Sequence, residues 1–448
     1  MMMNSAKATA AAGLTEDKAA VVMNDNTNND DNTNNNDKDD EEEDFSVAVV
    51  DYQSPNAAQL LTASLKTTGF AVLTNYTPLT TTTLIHDVYQ EWRTFLIHLH
   101  HEYQRVQQQQ QLRPKSGTQQ ADDEDDGNQH PDPEDTNLAA QYYFDVLKQD
   151  GYFPMAVSET AKGATAKDLK HYYQCYFPHG RYPSKIPTTK KKKPEGVSDE
   201  AQHLWHELLT LGTIIVGWID EHMPDEIRNT IQTKIGSTTT LQECVSTEHT
   251  MMRILHYPGG GNDTAKKNGA VRAAPHEDIN LITILPAGSA RGLQVQSQTT
   301  GKWWEVPLVA NSIVINVGDM LQEMSDGAYK STTHRVIELH EEEEDANEDE
   351  NAPDATTPTH DCSPTAATVP PPTPDDASSA SAAAFGTKDR MSTPCFIHLH
   401  GNCPLSDRYG CAEHYLKERL VTLGVVPATV LDDFLVQYPD GKLPGWNR

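Results

Sequence analysis

The 448-residue chain has no uninterrupted apolar run near the ~18 residues that a membrane-spanning helix needs, so no membrane partner is expected. Residues Met1–Leu14 lack the apolar centre of a secretory leader. There is no CxxC. The six cysteines, Cys175, Cys244, Cys362, Cys395, Cys403 and Cys411, follow no regular spacing, which argues against a disulfide framework and against a zinc site. Reduced thiols in a cytoplasmic protein are the expectation. No GxGxxG follows a candidate strand, and Gly259–Gly260–Gly261 reads as a loop, so nothing points to a nicotinamide or flavin. Positive charge is scarce: 35 Lys and Arg face 65 Asp and Glu, for a net charge of -30. Such a chain repels phosphate unless a basic patch intervenes, which disfavours nucleic acid as a partner. The one basic run, Lys190–Lys193, is followed by Pro194 and reads as a loop, at most a weak import signal.

The negative charge is not spread evenly. Asp25–Asp44, Asp122–Asp135 and Glu341–Asp354 hold 27 of the 65 carboxylates and a single lysine, Lys38. Blocks of like charge without apolar residues cannot form a core and stay solvated, although they could contact basic partners. The organisation that follows is a disordered acidic, Asn-rich tail (1–44), a subdomain over 45–245 with an acidic insert at about 107–136, a second domain over 246–425 with a low-complexity insert at about 340–388, and a helical C-terminal segment (426–448).

Periodicity places strands at Val47–Asp51 and Phe70–Leu73, and helices over Asn56–Thr67 and about Thr81–Val106. Residues 198–223 form the clearest amphipathic helix, with Leu204, Leu208, Leu211, Ile215 and Ile219 at 3–4 spacing. The aromatic and proline-rich stretch 151–187 reads as a packed connector. From residue 250 short β-type runs recur between turn residues: Met252–Tyr257, Asn280–Leu285, Gly292–Gln296, Trp303–Val306, Ser312–Val317, His334–Glu338 and Thr393–Leu399. That texture predicts a sandwich or barrel, with helices returning at Ala412–Leu423 and Ala428–Tyr438.

The chemistry concentrates at Pro275–His276–Glu277–Asp278. In extended backbone, residues i and i+2 share a face, so His276 and Asp278 can present an imidazole and a carboxylate to one metal while Glu277 points away. A second imidazole on the same face would complete a two-histidine, one-carboxylate set, which suits Fe(II) with open positions. His334, at the head of a β run, is the candidate. Arg335 alternates to the other face and reads as structural.

The order His276–Glu277–Asp278, Leu281–Leu285, Gly292–Val295, Trp304–Pro307, Val314–Asp319, Ser325–Ser331 and His334–Arg335–Val336 resembles the isopenicillin N synthase-like family of Fe(II)/2-oxoglutarate dioxygenases. Val49–Asp51 and Gly69–Leu73 resemble that family's N-terminal region. The resemblance implies a mainly β core with flanking helices, a double-stranded β-helix (jelly-roll) with an N-terminal α/β subdomain. It also implies Fe(II), 2-oxoglutarate and O2 as cofactors, a small-molecule substrate, and release of succinate and CO2 as that substrate is oxidised, most often by hydroxylation. The family's Arg-x-Ser, which anchors the far carboxylate of 2-oxoglutarate, is matched by Arg390–Met391–Ser392, and Tyr257 stands where the family often adds a hydroxyl. The chain departs from the family in the long gap between His334 and Arg390, which a looped-out insert would absorb. Two other readings share these residues: an iron oxidase of the same fold that does not use 2-oxoglutarate, and a non-catalytic binding or regulatory protein that keeps the fold.

Overall fold

A computed structural model describes residues 45–112, 138–157, 168–177, 179–183, 196–259, 272–338 and 389–446. The three acidic tracts, Lys190–Lys193, Cys362 and the insert at 340–388 lie outside the described residues.

Along the described chain the elements are β1 (Val49–Asp51), α1 (Ala57–Thr68), β2 (Phe70–Thr74), α2 (Thr77–Thr80), α3 (Leu84–Leu112), α4 (Leu138–Tyr142), β3 (Gly151–Phe153), β4 (His171–Tyr176), α5 (Glu200–His222), α6 (Asp225–Ile235), β5 (Val245–Tyr257), β6 (Ala273–His276), β7 (Ile282–Pro286), β8 (Leu293–Gln296), β9 (Trp303–Glu305), β10 (Ile313–Val317), α7 (Asp319–Met324), β11 (His334–Val336), β12 (Arg390–Ser392), β13 (Cys395–Leu399), α8 (Ala412–Thr422) and α9 (Thr429–Gln437). They build two sheets. The larger runs β1-β2-β10-β7-β13-β5-β4-β3, with β12 added to β5; the smaller runs β6-β11-β8-β9. This is the expected jelly-roll, with helices laid on the outer face of the large sheet.

That outer face is sealed chiefly by α5. Its buried positions Leu204, Leu208, Leu211, Ile215 and Ile219 recur at helical spacing. The helix can lie close to β7 and β13 because Gly212 faces them: a Cβ there would stand 2.6 Å from Cδ1 of Ile397. α1 enters the same layer and must turn at once into β2. Gly69 permits this with φ 76°, capping the helix through its N–H to the Leu65 carbonyl.

Four expectations are revised. The stretch 151–187 is more than a connector: it contributes β3 and β4, and Tyr152, Tyr172 and Tyr173 are fully buried there. The helix expected to end near Val106 continues as α3 to Leu112, because glutamine is a good helix former. Most consequentially, His276 and Asp278 do not share a strand. β6 ends at His276 in the small sheet and β7 begins at Ile282 in the large one, so Asp278 sits in the crossover between sheets. The expected boundary at 245/246 falls inside one continuous sheet, since β4 pairs with β5 from His171↔His256 to Tyr176↔Met251.

Because Gly212 sets the approach of α5 to the sheet, Gly212→Val should destabilise the fold by about 1–3 kcal/mol through overpacking against Ile397. Denaturant unfolding of the two proteins measures this, and an unchanged midpoint would show that the helix is free to shift.

Candidate metal centre

Pairing of β6 with β11 sets His276 directly opposite His334, and the crossover after β6 brings Asp278 beneath both rings. The ligand atoms of the three residues lie within 4.8 Å of one another, and no other cluster of three or more potential ligands is found among the described residues. Asp278 Oδ1 is 3.8 Å from His276 Nε2 and 3.7 Å from His334 Nε2. The ring centroids stand 4.3 Å apart at 50°. Phe70 of β2 packs edge-on against the His334 ring at 5.5 Å.

The backbone selects the tautomer of each ring. His276 Nδ1 lies 2.7 Å from the Ala274 carbonyl and His334 Nδ1 3.1 Å from that of Thr332. A carbonyl can only accept, so each Nδ1 carries the proton and each Nε2 lone pair faces Asp278. Burial, then the neighbouring His334, lowers the His276 pKa to about 4, which keeps its imidazole neutral and available as a ligand. For Asp278 burial opposes ionisation, but His334, His276 and two side-chain hydrogen bonds outweigh it and hold the carboxyl below its ordinary value. Those bonds come from Asn316 Nδ2 (2.8 Å) and Thr283 Oγ1 (2.5 Å), both to Oδ2. Oδ1 is left for a cation. Two imidazole nitrogens and one carboxylate oxygen on a single side fit the donor set expected for Fe(II).

The crossover itself is latched to the end of β10. Asp319 N–H donates to the Asp278 carbonyl (2.7 Å), Met320 N–H to that of Asn280 and Gly318 N–H to that of Leu281. The approach is so close that a Cβ at Gly318 would lie 2.1 Å from the Asn280 carbonyl oxygen. On the other side, Asp168 accepts the Ala274 N–H (3.0 Å) and pairs with Lys170 at 2.8 Å, so the N-terminal half of the chain also supports β6. Glu277 turns away to accept from Thr333 Oγ1, and Arg335 lies over the Trp303 ring at 4.0 Å, both as expected from alternation.

Two cavities meet at the triad. A narrow one of about 60 Å³ is lined by His276, Asp278, His334, Tyr257, Arg390 and Ser392 among others. All six expected site residues therefore border one space. Arg390, opposite Tyr257 in the β12–β5 register, is 2 % exposed. Its Nε donates to the Ala290 carbonyl (3.1 Å), while its buried Nη1 has no partner among the described residues. A buried cation with an unfilled fork and two hydroxyls beside it fits a carboxylate end of 2-oxoglutarate. The second cavity, about 640 Å³, opens on the other side of His276 and Asp278. Met251, Phe396, Leu416, Leu420 and Val426 give it an apolar wall, and Lys170 and Arg253 border both spaces.

Sequence reasoning did not single out Thr283, Asn316, Asp168 or Lys170. Asn316 carried a signal, a lone amide inside the apolar run Val314–Val317; the Asp168–Lys170 pair carried none.

A jelly-roll that gathers two histidines and one carboxylate on a single face defines a non-haem metal oxygenase. The model of the 2OG-Fe(II) oxygenase superfamily matches residues 248–344. A solved structure of a candidate oxygenase from Shewanella oneidensis is 30% identical, with a TM-score of 0.53, over 85% of this chain and 100% of that one. The chain belongs to the 2OG-Fe(II) oxygenase superfamily. Among curated proteins, feruloyl CoA ortho-hydroxylase 2 of Arabidopsis thaliana is 50% identical over 62 residues, 14% of this chain and 17% of that protein. A 2-oxoglutarate-dependent dioxygenase of Monascus ruber is 38% identical over 86 residues, 19% of this chain and 26% of that protein. The chain thus spans about a quarter or less of the length of these two curated relatives.

Removing a hydrogen bond that orients a ligand typically weakens metal binding ~10–100-fold. Asn316→Ala is expected to show that loss for Fe(II), with the fold retained. Anaerobic Fe(II) titration checks it, and wild-type affinity in the variant would remove Asn316 from the support of Asp278.

Proposed function

We propose that the protein is an Fe(II)- and 2-oxoglutarate-dependent oxygenase that oxidises, most often by hydroxylation, a small organic molecule. The observation that carries this reading is one cavity bordered both by a preorganised His276–Asp278–His334 set and by a buried arginine whose fork is unfilled. Superfamily membership supports it. Cys175, Cys244, Cys395, Cys403 and Cys411 form no disulfide among the described residues, which supports a reducing, cytoplasmic setting. No helix among the described residues is long and apolar enough to cross a membrane.

In this reading His276 Nε2, His334 Nε2 and Asp278 Oδ1 hold the metal on one side and leave its other positions open. When bound, Fe(II) and 2-oxoglutarate supply the oxidising chemistry, in which O2 is consumed and succinate and CO2 are released. The protein's share is placement. Arg390 receives the far carboxylate of 2-oxoglutarate in its planar fork, with Ser392 and Tyr257 donating hydroxyl hydrogens. Asn316 and Thr283 keep Asp278 from rotating. The large cavity seats the substrate against His276 and Asp278, and the wall from α8 and its neighbours keeps water from the reacting side.

The test is spectroscopic. Anaerobic addition of Fe(II) and then 2-oxoglutarate should produce the visible metal-to-ligand charge-transfer band of the chelate, and His276→Ala and Asp278→Ala should abolish it. Iron binding without a band would point to an oxidase that does not use 2-oxoglutarate; absence of iron binding would point to a non-catalytic role. Arg390→Ala should raise the 2-oxoglutarate requirement roughly 10–100-fold, since a hydrogen bond to a charged group contributes ~1.5–3 kcal/mol. An unchanged requirement would place the anchor elsewhere.

A further inference from the structure

β12 is three residues long, and no described strand or helix leads into Arg390 from its N-terminal side. That end of the strand is paired with β5 at Arg390↔Tyr257, and the residue just before it, Asp389, ties the chain to three further groups. Alternation sends Arg390 and Ser392 into the narrow cavity and sends Asp389 to the opposite face, where α3 lies. There Asp389 accepts from Arg93 of α3 (Nε at 3.0 Å, and Nη2), from His256 Nε2 of β5 (3.3 Å) and from the backbone N–H of Gly259 (2.6 Å). Burial opposes the charge, yet the bonds from His256, Gly259 and Arg93 hold the Asp389 carboxyl well below the usual range.

His256 is in turn the last member of a buried polar chain. Its Nδ1 lies 2.7 Å from His171 Nε2, and His171 Nδ1 lies 3.2 Å from the Tyr152 hydroxyl. The carboxylate accepts, so His256 carries its proton on Nε2. Its Nδ1 then accepts from His171 Nε2–H, and His171 Nδ1 accepts from Tyr152 O–H. Burial pulls the His171 pKa down and pushes that of Tyr152 up, which keeps the imidazole neutral and the phenol protonated. Every proton in the chain points toward Asp389, and successive bonds polarise one another in that direction.

Arg390 needs such a clamp. Its guanidinium makes one hydrogen bond to the described protein, to Ala290, and slides over Gly288, where a Cβ would stand 2.7 Å from Nη2. The orientation of its fork therefore follows from where the backbone at 390 is pinned. The middle of β12 is pinned by paired bonds between Met391 and Ser289 (2.8 and 3.2 Å). At the near end Asp389 adds its ties to the Arg390↔Tyr257 pairing.

We propose that Asp389, backed by Tyr152, His171 and His256, is a positioning residue for the cosubstrate, setting the Arg390 fork at the depth and angle that meets the far carboxylate of 2-oxoglutarate. This rests on the reading of Arg390 given above. Calorimetric titration of 2-oxoglutarate into Fe(II)-loaded protein under anaerobic conditions, compared with Fe(II) titration of the same variants, tests both. Asp389→Asn should raise the 2-oxoglutarate dissociation constant about tenfold and leave Fe(II) affinity within twofold, with the loss in turnover read in KM for 2-oxoglutarate rather than in kcat. Asp389→Glu should recover part of the loss. Arg93→Ala, which removes one arm through a partly exposed side chain, should raise the constant about threefold and provides the measurement if Asp389→Asn does not fold. A lowered melting temperature with unchanged 2-oxoglutarate affinity, in a background where Arg390→Lys does weaken it, would make Asp389 a fold-stabilising residue only and overturn the proposal. If Arg390→Lys itself binds 2-oxoglutarate as the wild type does, the reading of Arg390 fails and the proposal falls with it.

Discussion

Asp278 has two oxygens, and the fold uses them for opposite purposes. Oδ2 is saturated by Asn316 and Thr283, donors from two neighbouring strands of the large sheet. Oδ1 is turned toward two imidazole nitrogens of the small sheet. A carboxylate buried with only one of these environments would be costly: without the donors it would be desolvated and unpaired, and without the cation site it would have no reason to ionise there. The rest of the centre follows from this division. Asn316 must lie near the end of β10, Gly318 must allow the crossover to press against it, and β6 must stop at His276 so that the chain can pass from one sheet to the other. Both histidines carry the same backbone lock, Nδ1 to a carbonyl two residues earlier, so the fold fixes three ligand directions without any group beyond its own.

How much of this could be read beforehand depends on the range of the interaction. The apolar period of α5 and the β texture after residue 250 are local patterns, and each run expected there holds a strand, although β5 starts earlier than expected and the short β6 and β12 were not foreseen. The spacing His276-x-Asp278 pointed to two side chains that do converge, for a reason that the structure replaces: they meet because a strand ends between them, whereas the argument assumed a continuous one. His334 and Arg390 were reachable only through the ordered resemblance to a family, since nothing local distinguishes a ligand from an ordinary edge histidine. Tyr152, His171, His256 and Asp389 are spread over more than 230 positions and meet only when β3, β4, β5 and β12 have paired. No window of sequence contains them together. The same holds for Asp168, which steadies β6 from a segment over a hundred residues earlier.

The net charge of -30 takes on a different meaning once the site is known. A dianion such as the proposed 2-oxoglutarate calls for local positive potential, and Arg253 and Arg390 border the narrow cavity, where Lys170 is already paired with Asp168. The acidic blocks carry much of the bulk charge and lie outside the described residues. Global charge is therefore a poorer guide to a bound anion than the cations that border the cavity itself.

The register of His334 against His276 ties iron to folding. The three ligands come from β6, from the crossover to β7 and from β11, so they converge only after both sheets have paired and closed on each other. An unfolded chain has no such site, and whatever free energy the metal contributes on binding is added to the folded state alone. Cellular iron supply would then govern the lifetime of the protein as well as its turnover: under scarcity the metal-free molecules open more often and meet proteases more readily, and the enzyme pool shrinks together with its cofactor.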